Sequence, residues 1–216
     1  MRALIVAKAP VAGRVKTRLG AVIGDDLAAD LAAAALLDTI EACTRAGAVG
    51  HVSLAGDLAD AVRGEEIGAA LTGWTITAQR GAGFAERLVN AHADAGHGAV
   101  VQVGMDTPQI TPAGLASVAE GLVDHDAVLA PATDGGWWAL ARRDPDVVRH
   151  LVDVEMSTDR TFVDTWEALE RAGCRVGHGV EISDVDTVED ADRVADLAPQ
   201  TRFADMWRTS RVRGAR

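Results

Sequence analysis

Short apolar runs of strand length alternate along the chain with longer Ala-rich or amphipathic stretches. The apolar runs predict strands over residues 3–7, 51–55, 74–78, 99–103, 127–130, 137–141 and 175–180. The stretches between them predict helices over residues 26–45, 82–95, 112–122, 158–172 and 188–197, with one more helical stretch after the second strand. This alternation is typical of an α/β protein built from βα units around a mainly parallel sheet.

The length of the chain favours one domain. Its 216 residues are close to the upper limit for a single hydrophobic core, and 48% of them are hydrophobic. We expect this domain to cover residues 1–200 and to be followed by a basic C-terminal tail, 201–216. The tail carries Arg208, Arg211, Arg213 and Arg216. A frayed, solvated segment is one interpretation, and a binding site for an acidic partner is the other.

The charge balance disfavours two classes of partner. Asp and Glu total 32 against 21 Lys and Arg, which gives a formal net charge of -11. Such a protein repels nucleic-acid backbones and anionic lipid surfaces, so neither a nucleic acid nor a membrane is expected as a partner. To bind a phosphorylated small molecule it would need a local basic loop or a metal ion.

The cysteines and the N-terminal sequence predict a protein of the reducing cytoplasm. Cys43 and Cys174 are each isolated in the sequence, which supports neither a disulfide framework nor a CxxC metal site. The apolar stretch near Met1 is too short for a signal peptide, and we expect no membrane span.

Four segments rich in charge and glycine come directly after predicted strands. They are residues 8–19, 104–108, 133–136 and 184–187. Because ligands collect at the carboxyl ends of strands in an open parallel sheet, these segments are the candidate site. The first carries Lys8, Arg14, Lys16 and Arg18, which indicates either phosphate binding or a solvated basic loop. It is not a P-loop, since Val15 stands where the glycine before the lysine is required.

Asp106 and Asp186 are the candidate metal ligands. Asp106 follows the buried strand at 99–103, where a carboxylate would project into a cleft that suits magnesium or manganese. The alternative for Asp106 is a capping or turn residue. Asp186 has the same ambiguity, because Asp186 or Thr187 could cap the helix that follows.

Other common sites have no support in the sequence. Glu86 stands where the third small residue of a dinucleotide fingerprint belongs, so the glycines at 81 and 83 do not indicate a nicotinamide site. The six histidines show no HxxxH or HExxH spacing, and no serine lies in GxSxG. The sequence therefore contains no motif that would support a zinc hydrolase or a serine hydrolase.

Taken together, several ordered motifs resemble the nucleotide-diphospho-sugar transferase superfamily from residue 3 to residue 197. They are KAP at 8–10, GRVKTRL at 13–19, Gln79, Gly81, ERL at 86–88, GMDTP at 104–108, PATDGG at 131–136, Ser157–Thr158 and DVDTVED at 184–190. Within that superfamily the chain resembles the small bacterial glycosyltransferase-like family known as DUF2064, which is related to the guanylyltransferases of deazaflavin cofactor synthesis (2-phospho-lactate guanylyltransferases). The resemblance implies a single-domain, Rossmann-like glycosyltransferase A fold, a mainly parallel mixed sheet with helices on both faces.

The resemblance also implies roles for individual residues. Asp106 and Asp186 would hold Mg²⁺ or Mn²⁺, which bridges the phosphates of a nucleotide or nucleotide sugar. Lys16, Arg18 and Asp134 would be catalytic: the first two assist on the phosphates, and Asp134 acts as acceptor-hydroxyl base or substrate hydrogen-bonding group. The implied substrate-binding residues are Lys8, Pro10, Gly13, Arg14, Thr17, Gln79, Gly104, Thr107, Gly135, Gly136, Trp137, Ser157 and Thr158. Trp137 and Trp138 would stack on a sugar or acceptor ring.

The sequence departs from the family pattern in three places. These departures affect the expected identity of the acceptor more than the expected metal site. Met105–Asp106–Thr107 replaces Ala-Asp-Cys, tryptophans replace tyrosines after Gly136, and Glu155–Met156 replaces a tryptophan before Ser157. Three functions stay open: a glycosyltransferase acting on a small-molecule acceptor, a nucleotidylyltransferase that releases pyrophosphate, and a catalytically silent binding protein. The oligomeric state is also open, with a homodimer as one option.

Overall fold

A computed structural model describes the backbone of residues 1–214 and the side chains of residues 1–212. Its strands are β1 Arg2–Lys8, β2 Val49–Ala55, β3 Thr75–Ala78, β4 Val100–Val103, β5 Ala127–Pro131, β6 Trp137–Arg142 and β7 Val176–His178. Its helices are α1 Thr17–Ile23, α2 Asp25–Arg45, α3 Gly64–Ala70, α4 Phe84–Ala95, α5 Pro112–Glu120, α6 Thr161–Arg171, α7 Val188–Leu197 and α8 Arg202–Gly214. Three short 3-10 segments, Leu58–Asp60, Gly121–Val123 and Pro145–Leu151, lie between them.

The seven strands form one mixed sheet in the order β3-β2-β1-β4-β6-β5-β7. β1 is parallel to β2 and β4, while β6 is antiparallel to β4 and β5. The chain runs outwards from β1 to β2 and β3 and then returns to β4 on the other side of β1. The sheet therefore has a switch point between β1 and β4, the place where open α/β sheets bind ligands.

Helices cover both faces of the sheet, which confirms the predicted fold class. Along β1, Ala3, Ile5 and Ala7 join the core under α2 and α5, whereas Leu4 and Val6 join the core under α4. Because β1 is buried on both faces, it is a continuous apolar run rather than an alternating one. α6 and the 3-10 segment at Pro145–Leu151 pack on the same face as α4.

Two boundaries near the first basic segment differ from the sequence prediction. β1 extends to Lys8, and helix begins at Thr17 rather than at residue 26, so Thr17 and Arg18 lie in α1 and not in a loop. Gly24, with φ of +93°, breaks the helix before α2 begins at Asp25. A residue without Cβ adopts this conformation readily, which lets one helix end and the next begin at a single residue.

The prediction of a frayed C-terminal tail is wrong for residues 202–214, which form α8. Phe203 and Trp207 of α8 are 1% and 2% exposed and pack against α2 and α7. Asp38 of α2 accepts hydrogen bonds from the backbone N–H groups of Arg202 (3.1 Å) and Phe203 (3.0 Å) and so caps α8. The last two residues of the predicted tail, 215 and 216, lie outside the described residues. Burial of two aromatic side chains makes this helix part of the domain core.

A buried arginine fixes the C-terminal end of α4. Arg142 is fully buried and donates to the carbonyl oxygens of His92 and Gly96, both at 2.6 Å. Its Nε also donates to Nδ1 of His92 at 3.0 Å, while Nε2 of His92 lies 3.4 Å from Oε1 of Gln102. A cation at the end of a helix is favourable because the last carbonyl groups carry partial negative charge. Burial, followed by the charge of Arg142, lowers the pKa of His92 to about 3.

The cysteines and the helices relate to the predicted cytoplasmic location of the protein. Cys43 and Cys174 are free thiols, and burial raises the pKa of Cys43 to about 12. None of the helices described for residues 1–214 combines the length and apolar composition that a membrane span requires. A cytoplasmic location stays a prediction.

Trp207→Ala should lower the free energy of unfolding by about 3–5 kcal/mol, since it removes a buried indole. The indole also donates from Nε1 to Asp192 at 2.7 Å. Urea unfolding followed by circular dichroism measures the change. Val212→Ala in the same helix, at a side chain 63% exposed, should change it by less than about 0.5 kcal/mol. Equal effects of the two substitutions would show that α8 does not pack as described.

Acid should destabilise the fold through His92. Its folded-state pKa of about 3 lies below the ordinary value of 6.5, so the unfolded chain binds the proton first as the pH falls. This contribution to stability is complete above pH 6.5 and should be about 2 kcal/mol smaller at pH 5. His92→Gln should remove that part of the pH dependence in urea titrations from pH 8 to pH 5. The same substitution at exposed His97 is the control and should retain the wild-type slope.

Candidate functional site

The candidate site is a cleft of about 690 Å³ at one rim of the sheet. β1, β4 and β5 all end at this rim, because they run in the same direction, and antiparallel β6 starts there with Trp137. Three of the four segments singled out in the sequence adjoin these strand ends, the fourth follows β7, which is parallel to β5, and each contributes residues to the cleft. The topology thus brings together residues that are distant along the chain.

Backbone contacts hold the two acidic segments side by side. Ile182 forms a parallel bridge with Ala132, which extends the sheet beyond β7 and carries the following residues to the rim. The N–H of Val185 then donates to the carbonyl oxygen of Asp106 at 3.2 Å. Val185 is 2% exposed, so its neighbours Asp184 and Asp186 face the opposite way, as alternate residues of an extended segment do. Both carboxylates therefore face the cleft.

Three carboxylates and one ammonium group form the centre of the cleft. Carboxylate oxygens of Asp106, Asp184 and Asp186 lie within 4.8 Å of one another. Nζ of Lys16 lies between two of these residues, 2.9 Å from Oδ2 of Asp106 and 2.8 Å from Oδ1 of Asp186. Arg18, whose side chain is 78% exposed, reaches Oδ2 of Asp186 at 3.3 Å. We call the three aspartates and Lys16 the carboxylate cluster.

The capping alternative for Asp186 is wrong, because other residues cap α7. The Oγ1 of Thr187 accepts from the N–H of Asp190 at 3.2 Å, and Asp190 accepts in return from the N–H of Thr187 at 3.0 Å. Asp106 does not cap the helix that follows it either, because Thr111 caps α5 by accepting a hydrogen bond from the N–H of Gly114 at 3.0 Å. The carboxylates of Asp106 and Asp186 are instead directed at the ammonium of Lys16.

The surroundings of Lys16 and Asp184 shift the pKa values of these two residues. Burial by itself lowers the pKa of Lys16, but the charges of Asp106 and Asp186 and their hydrogen bonds outweigh burial and raise it above its ordinary value. Burial, then repulsion from Asp106 and Asp134, raises the pKa of Asp184 to about 7, although Lys16 opposes the shift. Such crowding of like charges indicates a functional site more often than a structural one.

The residues of the cluster fit a divalent metal ion. Three carboxylates offer only oxygen ligands, which Mg²⁺ and Mn²⁺ prefer, and the Lys16 ammonium already stands between two of them as a cation. Gly104 makes room for this arrangement, since a Cβ there would lie 2.8 Å from Oδ1 of Asp106. Asp106 and Asp186 are therefore suited to the predicted ligand role. Asp184 is an additional candidate that the sequence reasoning missed.

Most of the other predicted residues line the cleft. They are Lys8, Arg14, Lys16, Thr17, Arg18, Gln79, Gly104, Thr107, Asp134, Gly136, Trp137, Ser157 and Thr158. The side-chain Nε2 of Gln79 donates to the backbone oxygens of Ala7 (2.9 Å) and Ser53 (3.0 Å), which fixes it at the ends of β1 and β2. Thr107 is 1% exposed and its Oγ1 has no hydrogen-bond partner within the described part of the chain. A buried hydroxyl without a hydrogen-bond partner is rare in protein interiors.

Pro10, Gly13 and Gly135 are not among the residues that line the cleft. The carbonyl oxygen of Pro10 accepts from the N–H of Val62 at 2.8 Å, and Gly13 adopts φ of +72° next to Asp25. Gly135 has φ of +88°, and a Cβ there would lie 2.1 Å from the backbone oxygen of Asp159. Its lack of a side chain thus permits close packing of two loops, whereas the resemblance implied a role in substrate binding.

The two tryptophans differ in their exposure. Trp138 is 6% exposed, belongs to the core beneath α2 and α5, and donates from Nε1 to the carbonyl oxygen of Val180 at 2.8 Å. Trp137 is half-buried and donates from Nε1 to Oγ1 of Thr165 at 3.2 Å. Of the two, Trp137 is the better placed to stack on a ligand ring.

The sequence reasoning missed several residues of the cleft. Phe84 and Arg87 of α4, together with Met156 and Asp159, line it beside Asp184. The alternation of Asp184, buried Val185 and Asp186 could have indicated that both aspartates share a face. No sequence signal marks Phe84 or Met156, because their role depends on α4 and residues 156–161 lying over the same rim.

Unusual backbone conformations also occur here. Lys16 (φ +46°) and Ser157 (φ +66°) line the cleft, and among the described residues other than glycine only Arg63 shares their left-handed conformation. Such conformations cost energy and collect at ligand sites.

A family model matches residues 36–158, more than half of the chain. It describes uncharacterized proteins conserved in bacteria, DUF2064. The chain belongs to this family. The match confirms the resemblance noted in the sequence. No curated protein gives a significant match to the sequence of this DUF2064 protein.

Solved structures with the same fold include transferases of nucleotides and nucleotide sugars. A protein from Desulfovibrio desulfuricans G20, provisionally titled a nucleotide-diphospho-sugar transferase, is 28% identical with a TM-score of 0.82, covering 98% of this chain and 96% of its own. CMP:2-keto-3-deoxy-manno-octonic acid synthetase complexed with CTP is 17% identical with a TM-score of 0.56, covering 93% and 99%. Rv0371c from Mycobacterium tuberculosis H37Rv, complexed with manganese, is 18% identical with a TM-score of 0.53, covering 90% and 98%. The last two show the fold alone.

Gly135→Ala should destabilise this DUF2064 protein more than the same substitution at another glycine with a similar positive φ, Gly173. Gly173 has nearly the same φ, +82°, but a Cβ there meets nothing within 4 Å, so Gly173→Ala measures backbone strain alone. Strain should cost about 1 kcal/mol at both positions, and the clash with Asp159 should add about 1–3 kcal/mol at Gly135. Urea unfolding of both variants measures the difference. Equal losses would refute close packing of Gly135 against Asp159.

Proposed function

We propose that the protein is a metal-dependent glycosyltransferase that moves a sugar from a nucleoside-diphosphate sugar to a small-molecule acceptor. The observation that supports it most is the convergence of Asp106 and Asp186 on one cation position at the sheet rim. The similarity to the Desulfovibrio nucleotide-diphospho-sugar transferase, over nearly the whole chain, supports the donor class.

In this proposal Asp106 and Asp186, with Asp184 beside them, hold Mg²⁺ or Mn²⁺. The metal would neutralise the negative charge that builds up on the departing diphosphate. Three oxygen ligands suit either ion, and the manganese complex of Rv0371c, a protein of the same fold, makes Mn²⁺ a sensible first test.

The cationic residues of the first segment form the phosphate side of the cleft. Lys8, Arg14, Lys16 and Arg18 all line it, in a protein whose net charge of -11 otherwise opposes an anion. Lys16 and Arg18 are closest to the carboxylates and would stabilise the phosphate oxygens of the leaving group. Their role is electrostatic and needs no proton transfer.

The acceptor side of the cleft contains Asp134, Trp137 and the segment 156–159. Asp134 is exposed there, and its Oδ1 accepts from the N–H of Gly136 at 2.8 Å, which orients the carboxylate. It would accept a proton from the acceptor hydroxyl or hold that hydroxyl by a hydrogen bond. Trp137 would stack on a sugar or acceptor ring.

Nucleotidyl transfer is the second candidate. A cluster of four cations suits a triphosphate better than a diphosphate sugar, and the CTP-complexed synthetase has the same fold. In that reaction the same metal and cations would stabilise departing pyrophosphate. The acceptor would then be a small phosphorylated acid.

Product analysis distinguishes the candidates. Protein incubated with Mg²⁺ or Mn²⁺, a panel of nucleotide sugars and a panel of nucleoside triphosphates should release nucleoside diphosphate from a nucleotide sugar. Release of pyrophosphate from a triphosphate would instead establish nucleotidyl transfer. Tight binding of nucleotide and metal with neither product, across acceptors, would identify a silent binding protein.

Asp106→Asn and Asp186→Asn should each weaken Mn²⁺ binding about tenfold or more, because each removes a charged ligand. Isothermal titration calorimetry with Mn²⁺ and a nucleotide measures the effect. Asp159→Asn is the matched control, since it removes a carboxylate from the same cleft but outside the carboxylate cluster. If both cluster variants bind Mn²⁺ as tightly as the parent, the metal assignment is wrong.

A further inference from the structure

Lys16 occupies the position that a metal ion would need. Its side chain is 10% exposed, and Nζ contacts Asp106 and Asp186 at 2.9 and 2.8 Å. A divalent ion of this kind lies about 2.1 Å from its oxygen ligands. An ion bound to both aspartates would therefore overlap the ammonium or repel it at very short range.

We infer that Lys16 and the metal compete for the same carboxylates, and that the nucleotide phosphates take up the displaced ammonium. The metal and the nucleotide should then bind with positive coupling, each strengthening the other. This inference rests on the proposed function. It assigns Lys16 the role of coupling the binding of the metal to the binding of the nucleotide.

The surroundings of Lys16 explain why an anion favours its displacement by the metal. The other cations that line the cleft near the first segment are Lys8, Arg14 and Arg18. An ammonium released by the metal would lie among these three charges and the ion itself. The carboxylates of Asp134 and Asp184 also face this region. A phosphate group adds the negative charge that the released ammonium requires.

The local structure allows Lys16 to move without unfolding α1. Lys16 is the residue before α1, and its side chain makes no capping hydrogen bond. Four methylene groups separate Nζ from the backbone, so rotation of the side chain can carry the charge across several ångströms. Val15, the residue before it, is 6% exposed and anchors the backbone in the core.

Metal titration tests the competition directly. Mn²⁺ binding, followed by the electron paramagnetic resonance signal of the free ion, should be about fivefold or more tighter for Lys16→Met than for the parent in the absence of nucleotide. Arg87→Met removes one positive charge from the same cleft, and Arg87 makes no ion pair among the described residues. It should change Mn²⁺ affinity by less than about twofold.

The coupling is measured by repeating the titration with nucleoside diphosphates, after correction for Mn²⁺ bound by the nucleotide alone. In the parent, the diphosphate should raise the protein's affinity for Mn²⁺, and Lys16→Met should lose most of that gain. Circular dichroism verifies folding, and Lys16→Gln replaces Lys16→Met if the methionine variant is unfolded.

Chemical labelling reports the position of the ammonium itself. Acylation of Lys16, quantified by mass spectrometry, should be slow in the protein alone, faster with Mg²⁺, and slow again with Mg²⁺ and diphosphate. If Lys16 had only a structural role, its acylation rate would be the same under all three conditions.

The outcomes separate the two proposals. Weaker or equal Mn²⁺ binding by Lys16→Met, or unchanged acylation with Mg²⁺, would overturn the competition while leaving the metal site in place. Absence of Mn²⁺ binding by the parent and by both Lys16 variants would overturn the proposed function and the inference together.

Discussion

Three carboxylates that approach within 4.8 Å of one another repel strongly unless a cation lies among them. In this protein the cation is the ammonium of Lys16, which contacts Asp106 and Asp186. The rest of the site is arranged around that contact: Gly104 leaves room for Asp106, and the hydrogen bond from Val185 to Asp106 keeps the two acidic segments adjacent. Crowded carboxylates with a perturbed pKa at a rim cleft are typical of a functional site.

The fold supplies the geometry for this cluster. The switch point between β1 and β4 opens the sheet where the first basic segment and Asp106 emerge, and the antiparallel β6 returns Trp137 to the same rim. Solved transferases of nucleotides and nucleotide sugars share this architecture. In the proposed function, a single rim would bring cationic groups for phosphates, carboxylates for a metal and an aromatic surface for a ring within reach of one ligand.

Parts of the molecule far from the cleft are held by a few buried polar contacts. Asp38 caps α8 and joins it to α2, and Arg142 joins the end of α4 to β6. Both are charged groups in the interior whose hydrogen bonds are satisfied largely by backbone atoms, which is what makes their burial tolerable. Arg142 fixes one end of α4, and Phe84 and Arg87 near the other end line the cleft.

Local patterns in the sequence determined the α/β class, most strand and helix positions, and the four segments that form the rim, because hydrophobic periodicity and capping act over a few residues. Thr111 followed by Pro112 marked the start of α5, and the β-branched run marked β4. Tertiary structure alone decided that α8 packs through Trp207 and that Gly135 serves loop packing. It also decided that Asp184 joins the cluster with Lys16 as its cation. These features depend on contacts between residues distant along the chain, which no local pattern encodes.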